Sequence, residues 1–245
     1  MKTFLVVTPC YRQRHYLTRC MCSVLWQLQG KDQMIIDRGD MDVDGLEDYP
    51  AVAGGPYSFA PAATNRGIGA SRNHIVAWAC GADGDPNLWL KFLDADDVLA
   101  PYVLETFRQM EIPPEVMVVT GPQVKVHNGR LQTIGRKPDW SLMDRMNPTL
   151  PSMTFVRASA FQQVRGFATH IHFEEDWDFW LRLRQNFGMQ AFATVGWPVC
   201  YYWISDKDRE TRIRPDGHDH NVSLNGEQVD VREYLKQTYK IDPIR

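Results

Sequence analysis

Leu88-Trp89-Leu90-Lys91-Phe92-Leu93-Asp94-Ala95-Asp96-Asp97 is the stretch that decides the fold. An almost wholly apolar run stops at three carboxylates within four positions. Gly84, Asp85 and Pro86 precede it as turn signals, so the run predicts a buried strand. Acidic side chains crowded at the mouth of a buried strand repel one another. A hard divalent cation relieves that repulsion, because carboxylate oxygens suit Mg2+ and Mn2+. Such cations usually bind phosphates too, so the first expectation is a metal–phosphate site. The competing explanation is a helix N-cap, with Asp96 or Asp97 capping a helix that begins near Pro101. The two are compatible for different members of the trio.

The flanking segments predict what surrounds that strand. Phe4 to Val7 forms a short buried strand ended by Thr8 and Pro9. Leu17, Cys20, Met21, Val24, Leu25 and Leu28 then recur at helical spacing, leaving Arg19, Gln27 and Gln29 outside, with Gly30 as a stop. Met34-Ile35-Ile36 is a second strand, ending at Asp37-Arg38-Gly39-Asp40. Strand, helix, strand is the βαβ unit of a parallel sheet. Residues 38 to 66 are rich in Asp, Gly, Pro and Ala and predict loop with one short strand at most.

Asn65 to Asn73 opens the next helix, with Ile75, Val76, Ala79 and Cys80 as its buried stripe. A helix through Val103, Leu104 and Phe107 follows the acidic triplet, and Val116 to Val119 is a further strand. Asn128-Gly129, set between alternating segments of Gln123 to Ile134, is a hairpin signal. The chain thus begins α/β and turns more antiparallel after about residue 120. Phe155 to Phe167 holds a short helix, and Trp177 to Phe187 a strongly apolar one. The polar stretch 205 to 221 predicts a mobile loop.

Composition excludes several classes. With 245 residues, 44% hydrophobic and 23% charged, the chain is one large domain or two intimate ones. A net charge of −3 gives no bulk attraction for nucleic acid. No apolar stretch approaches a membrane span, and Phe4 to Val7 is too short for a signal-peptide core. Five scattered cysteines predict buried free thiols and a reducing compartment, with no zinc spacing. A cytoplasmic location is the expectation, with at most peripheral membrane contact.

In parallel α/β sheets, ligands bind outside the carboxyl ends of the strands. Three predicted strands end in polar clusters, at Thr8-Pro9-Cys10-Tyr11, at Asp37 and at Asp94. Were these strands neighbours, the clusters would converge. Tyr11 could then stack on a flat ring, and Asp37 could accept from a base N–H or a ribose hydroxyl. Arg72 could meet a diphosphate beside the metal. A second constellation is Phe173-Glu174-Glu175-Asp176-Trp177-Asp178-Phe179-Trp180, four acids in five positions beside two tryptophans. Acids favour a helix start, but this number exceeds what capping needs. A carboxylate in apolar surroundings has a raised proton affinity and can act as a general base, so Asp176 or Glu175 is the candidate. The tryptophans belong to the core on a helix this apolar. His218-Asp219-His220 in the polar loop could add one metal ligand, or be solvated.

Together the clusters resemble an inverting glycosyltransferase of family 2 with the GT-A fold, over roughly residues 3 to 203. Val6 to Arg12 resembles the family's opening strand and Pro-Thr-Tyr-Asn turn. Ile35 to Asp40 resembles its Val-Asp-Asp-Gly-Ser segment, and Asn65 to Asn73 its Gly-rich helix start. Phe92 to Asp97 matches its metal-binding Asp-any-Asp motif. Phe161 to Phe167, followed by Glu175 to Leu183, resembles its Gly-Phe and Glu-Asp signature. Arg38 stands where the family often has a second Asp, Cys10 where it has Thr, and Arg12 where it has Asn.

The resemblance implies a Rossmann-like nucleotide-sugar-binding half, residues 1–120, with a mainly parallel mixed sheet. It implies a smaller acceptor-binding half, residues 121–245, integrated with the first. Pro9, Tyr11 and Asp37 would hold base and ribose, and Arg72 would approach the nucleotide. Asp94 and Asp96 would hold ribose and metal, with the adjacent Asp97 as a further metal residue and His218 or His220 completing the site. Asp176, with Glu175 beside it, would deprotonate the acceptor. The implied donor is a nucleotide diphosphate sugar, a UDP-sugar foremost, with Mn2+ or Mg2+ and a carbohydrate or lipid-linked acceptor. A nucleotidyltransferase, an inactive sugar-nucleotide-binding protein and a hydrolase are the rivals. Thr8 to Tyr11 is not the Gly-rich phosphate loop the first rival needs, the Glu175-Asp176 pair argues against the second, and a hydrolase lacks a partner for Asp94.

Overall fold

Strand β1 (Thr3–Cys10) lies at the centre of the molecule because both of its faces are apolar and buried. Phe4 and Val6 point into one hydrophobic layer, Leu5 and Val7 into the other. A strand buried on both faces is the signature of a sheet covered by helices on each side. β1 pairs in parallel with β2 (Gln33–Arg38) on one edge and with β4 (Leu88–Phe92) on the other. β3 (Tyr57–Ala60) extends the sheet beyond β2. The structure, a computed structural model, describes residues 1–38, 55–60, 65–80, 85–204, 221–224 and 227–240.

The other half of the sheet adds β6 (Val118–Thr120), β9 (Thr154–Arg157) and β10 (Phe192–Thr194). The seven strands run in the order β10-β6-β9-β4-β1-β2-β3, with β9 antiparallel to both of its neighbours. This is a mixed, mainly parallel α/β sheet, the predicted fold class. A second sheet of four strands contains β5 (Val98–Leu99), β11 (Cys200–Ile204), β7 (Gln123–His127) and β8 (Arg130–Ile134). The β7–β8 turn is the predicted Asn128-Gly129, with φ of 47° and 79°.

Helices α1 (Arg14–Leu25) and α3 (Val103–Gln109) cover one face, burying Leu17, Cys20, Met21, Val24, Val103, Leu104 and Phe107. Helices α2 (Ile68–Cys80), α4 (Ala158–Gln163) and α5 (Glu175–Phe187) cover the other. The C-terminal helix α6 (Val231–Tyr239) joins that layer through Val231 and Leu235, preceded by the hairpin of β12 (Asn221–Leu224) and β13 (Glu227–Asp230). No helix among the described residues is long and apolar enough to cross a membrane.

Several local expectations change. Gln27 is buried rather than outside, because its amide donates to Ser23 O and Ala100 O and accepts from Leu104 N–H. α1 ends at Leu25, five residues before Gly30. Cys10, Cys20 and Cys200 are buried free thiols, but Cys22 is exposed and Cys80 half-buried. Residues 155–157 belong to strand β9, and the expected short helix begins only at Ala158. After residue 120 parallel pairing persists, since β10 joins β6 and β11 joins β7 in parallel.

Candidate active site

The three polar strand ends do converge, because β2, β1 and β4 are adjacent and parallel. Beyond them opens a cavity of about 870 Å³. Its walls include Pro9 and Tyr11 at the end of β1, the residues from Asn65 to Arg72 at the start of α2, Asp94 and Asp96 after β4, and Glu175 and Asp176 at the start of α5. Seven of the predicted site residues therefore share one cavity.

Asp94 to Asp97 form a tight turn closed by Asp97 N–H donating to Asp94 O at 3.0 Å. The helix-cap alternative is not what this turn does. α3 starts six residues after Asp97, with Tyr102 at its N-cap and no side-chain cap bond. Asp94 and Asp96 are half-buried and face the cavity, whereas Asp97 is buried and does not line it. Asp97 accepts from Trp203 N–H at 3.3 Å. Burial, then the like charges of Asp96 and Asp94, push its pKa well above the ordinary carboxylate value. Asp37 is likewise buried off the cavity wall, with one oxygen 3.3 Å from His74 Nδ1 and the other without a partner. His218 and His220, with the rest of the 205–220 stretch, lie outside the described residues.

Arg72 stands between the two acidic constellations. It is 1% exposed, and it donates to Asp94 Oδ1 at 2.7 Å and to Glu175 Oε1 at 3.1 Å. Phe167 lies beneath the guanidinium at 5.2 Å. The planar fork of Arg suits two carboxylates held apart in this way.

Asp176 is buried at the cavity wall, and its pKa is raised to about 8. Loss of hydration is the main cause, with Glu175 as a repelling neighbour and a hydrogen bond from Asn147 opposing. Glu175 is also raised by burial, with Arg72 acting against it. A carboxyl group tuned towards neutrality beside a cavity has the property a general base needs.

Trp177 and Trp180 are core residues, as their helix predicts. Their indoles also donate to Met143 O at 2.7 Å and Thr149 O at 3.2 Å. They thereby hold the segment that carries Asn147. α5 is anchored at its far side by Asp178, which pairs with Arg182 and accepts from Tyr239 on α6 at 2.6 Å. Arg182 donates in turn to Val164 O and Gly166 O. The Gly-Phe turn is locked to α2 by Asn73, which accepts from Phe167 N–H and donates to Phe167 O, each at 2.8 Å.

Sequence reasoning missed Asn147, Ser152 and Lys91. Ser152 Oγ accepts from Asp94 N–H at 3.0 Å. Lys91 is wholly buried, and its one signal was a lysine inside an apolar strand. Asn147 and Ser152 carry no local pattern at all.

The model of "Glycosyl transferase family 2" matches residues 5–173. Among curated proteins none matches the sequence. Among solved structures, S. aureus TarS 1-349 in complex with UDP-GlcNAc aligns with a TM-score of 0.67 at 14% identity, covering 98% of this chain and 72% of that one. A second TarS 1-349 structure gives 0.63 at 17% identity, covering 83% and 60%. The mannosyltransferase PcManGT from Pyrobaculum calidifontis, in complex with GDP-Man and Mn2+, gives 0.53 at 13% identity, covering 82% and 56%. The chain thus spans about three fifths of the first TarS chain it matches. At these identities the likeness is one of fold, the GT-A fold. The family match extends over more than half of the sequence, and the chain belongs to glycosyl transferase family 2.

Proposed function

We propose that the protein transfers a sugar from a nucleotide diphosphate sugar to an acceptor hydroxyl, with inversion and with the help of a divalent cation. The single observation that carries this is the shared cavity. Asp94 and Asp96 lie on its wall with Asp176, and Arg72 spans the space between the two groups. Departure and attack need chemistry of those two kinds at one place.

The donor side is built from residues 1–120 and the acceptor side from 121–245. Pro9 and Tyr11 receive the base, and Asp37, in register with Pro9 but buried off the cavity wall, backs them from the neighbouring strand. Arg72 reaches the diphosphate region through Asp94 rather than by exposing its own charge. The metal fits the residues present. Asp94 and Asp96 give hard oxygen donors at the cavity wall, and Mg2+ or Mn2+ is usually held by one or two carboxylates plus phosphate oxygens and water. When bound, the cation supplies positive charge to the departing diphosphate. Asp97 contributes as a buried member of the turn, and the further ligand expected from His218 or His220 falls outside the described residues.

Asp176 accepts the proton of the acceptor hydroxyl as that oxygen attacks the anomeric carbon from the opposite face. Glu175, held by Arg72, raises the proton affinity of Asp176. In-line displacement needs no covalent intermediate. The TarS structures are in complex with UDP and with UDP-GlcNAc, and the mannosyltransferase with GDP-Man and Mn2+, which supports a nucleotide sugar as donor and UDP as the first choice. The expected setting is cytoplasmic synthesis of a polysaccharide or glycoconjugate.

The test is Asp176→Asn. It should bind UDP with Mn2+ as tightly as the unaltered protein yet fail to transfer sugar. Retained transfer would remove Asp176 as the base. Loss of donor binding as well would assign it to the donor side.

A further inference from the structure

A lysine has no ordinary reason to occupy the middle of a central strand. Lys91 pairs with Val6 of β1 and Phe155 of β9, and it is 0% exposed. Desolvating an ammonium is unfavourable, whereas an apolar residue would pack here at no such cost. Its Nζ donates to Phe92 O at 2.6 Å and to Ser152 O at 2.5 Å.

Ser152 makes the next link. Its hydroxyl accepts from Asp94 N–H at 3.0 Å and hydrogen-bonds the Asp97 carboxylate. One residue thus ties both ends of the acidic turn, and Lys91 fixes that residue from below. The middle of the turn is held separately, by Arg19 Nη2 donating to Asp96 O at 3.0 Å. With its backbone pinned at these points, the turn presents Asp94 and Asp96 to the cavity in one arrangement. Ligand constellations need that support to within about half an ångström.

We propose that Lys91 and Ser152 are positioning residues of the donor site, setting the geometry in which Asp94 and Asp96 receive a cation together with a nucleoside diphosphate. They touch neither ligand. The inference rests on the proposed donor role of the acidic turn.

The test compares binding of UDP alone with binding of UDP plus Mn2+ by calorimetry, with GDP in parallel. In the unaltered protein Mn2+ strengthens binding. In Ser152→Ala and in Lys91→Met that metal-dependent gain falls by about tenfold, as for other residues that orient metal ligands. Metal-free UDP binding stays within twofold. An unchanged metal-dependent gain in whichever variant folds overturns the inference and leaves the proposed function standing. Equal loss with and without metal also overturns it, because it marks a general loss of structure. If the unaltered protein binds neither UDP nor GDP with Mn2+, the donor-site reading falls, and this inference with it.

Discussion

The guanidinium of Arg72 joins Asp94, 2.7 Å away on the turn after β4, to Glu175, 3.1 Å away at the start of α5. Residues 22 positions downstream and 103 positions downstream of Arg72 are thereby fixed to one rigid group. The leaving-group side and the attacking side of the site therefore share a buried cation. Removing it leaves buried Glu175 and half-buried Asp94 without their shared countercharge. Arg72→Met is expected to lower stability by about 3 to 5 kcal/mol, the cost of breaking a buried ion pair from one side. Arg72→Lys should be intermediate, since an ammonium cannot span both carboxylates in the fork geometry. Denaturant unfolding of the three proteins checks the order.

Asp176 gives a prediction for activity against pH. Its carboxyl titrates near 8, and it must be ionised to take a proton. The value of kcat/KM should rise with pH through that region, since this quantity reports the free enzyme. In Asp176→Asn transfer should fall by about 100-fold or more, and the remaining activity should lose that limb. A profile flat from pH 6 to 9 in the unaltered protein would contradict the assignment.

The same group predicts stability against pH. Folded Asp176 holds its proton more tightly than unfolded Asp176. Between the ordinary carboxylate value of 3.8 and about 8, the native state carries more protons than the unfolded one. Stability contributed by the neutral form is present at low pH and is lost as pH rises through this window. Glu175 shifts in the same direction. Unfolding at pH 5 and pH 8 should therefore differ more for the unaltered protein than for Asp176→Asn.

Much of this site is legible in sequence because its signals are local. The apolar run of β4 and the acidic turn are adjacent in the chain, and the parallel order of β2, β1 and β4 follows from βαβ connections. The acids at 174–178 mark the start of α5 for the same reason. What escapes is long-range or lacks a pattern. Nothing near Arg72 announces a partner 103 residues away. Asn147 is a single polar residue in an irregular segment and Ser152 one in a short 3-10 turn, and their roles exist only through Asp94, Asp97 and Asp176. Strand β9 is four residues long and runs straight into α4, so its apolar residues merge with the helical pattern. Gln27 shows the opposite error, a polar residue buried because Ala100 O and Leu104 N–H complete its amide.

The Gly-Phe turn yields a packing prediction. Gly166 has φ of +68°, and a methyl group there would collide with Asn73 Oδ1, the acceptor for Phe167 N–H. Gly166→Ala should cost roughly 1 to 3 kcal/mol from backbone strain, and more if the Asn73 clamp opens. Thermal unfolding of Gly166→Ala beside Asn73→Ala checks this. Losses that do not add in the double variant would show that the two residues share one structural unit.

The most direct test of the central claim is sugar-nucleotide turnover at the acidic turn. UDP release from UDP-sugars, and GDP release from GDP-sugars, is measured with Mn2+ and with EDTA, for the unaltered protein and for Asp96→Ala. Release should require the metal and fall by about a hundredfold in Asp96→Ala, comparable to losing one stabilising group for developing charge. Equal release by both proteins, or none with any donor and metal, would contradict it.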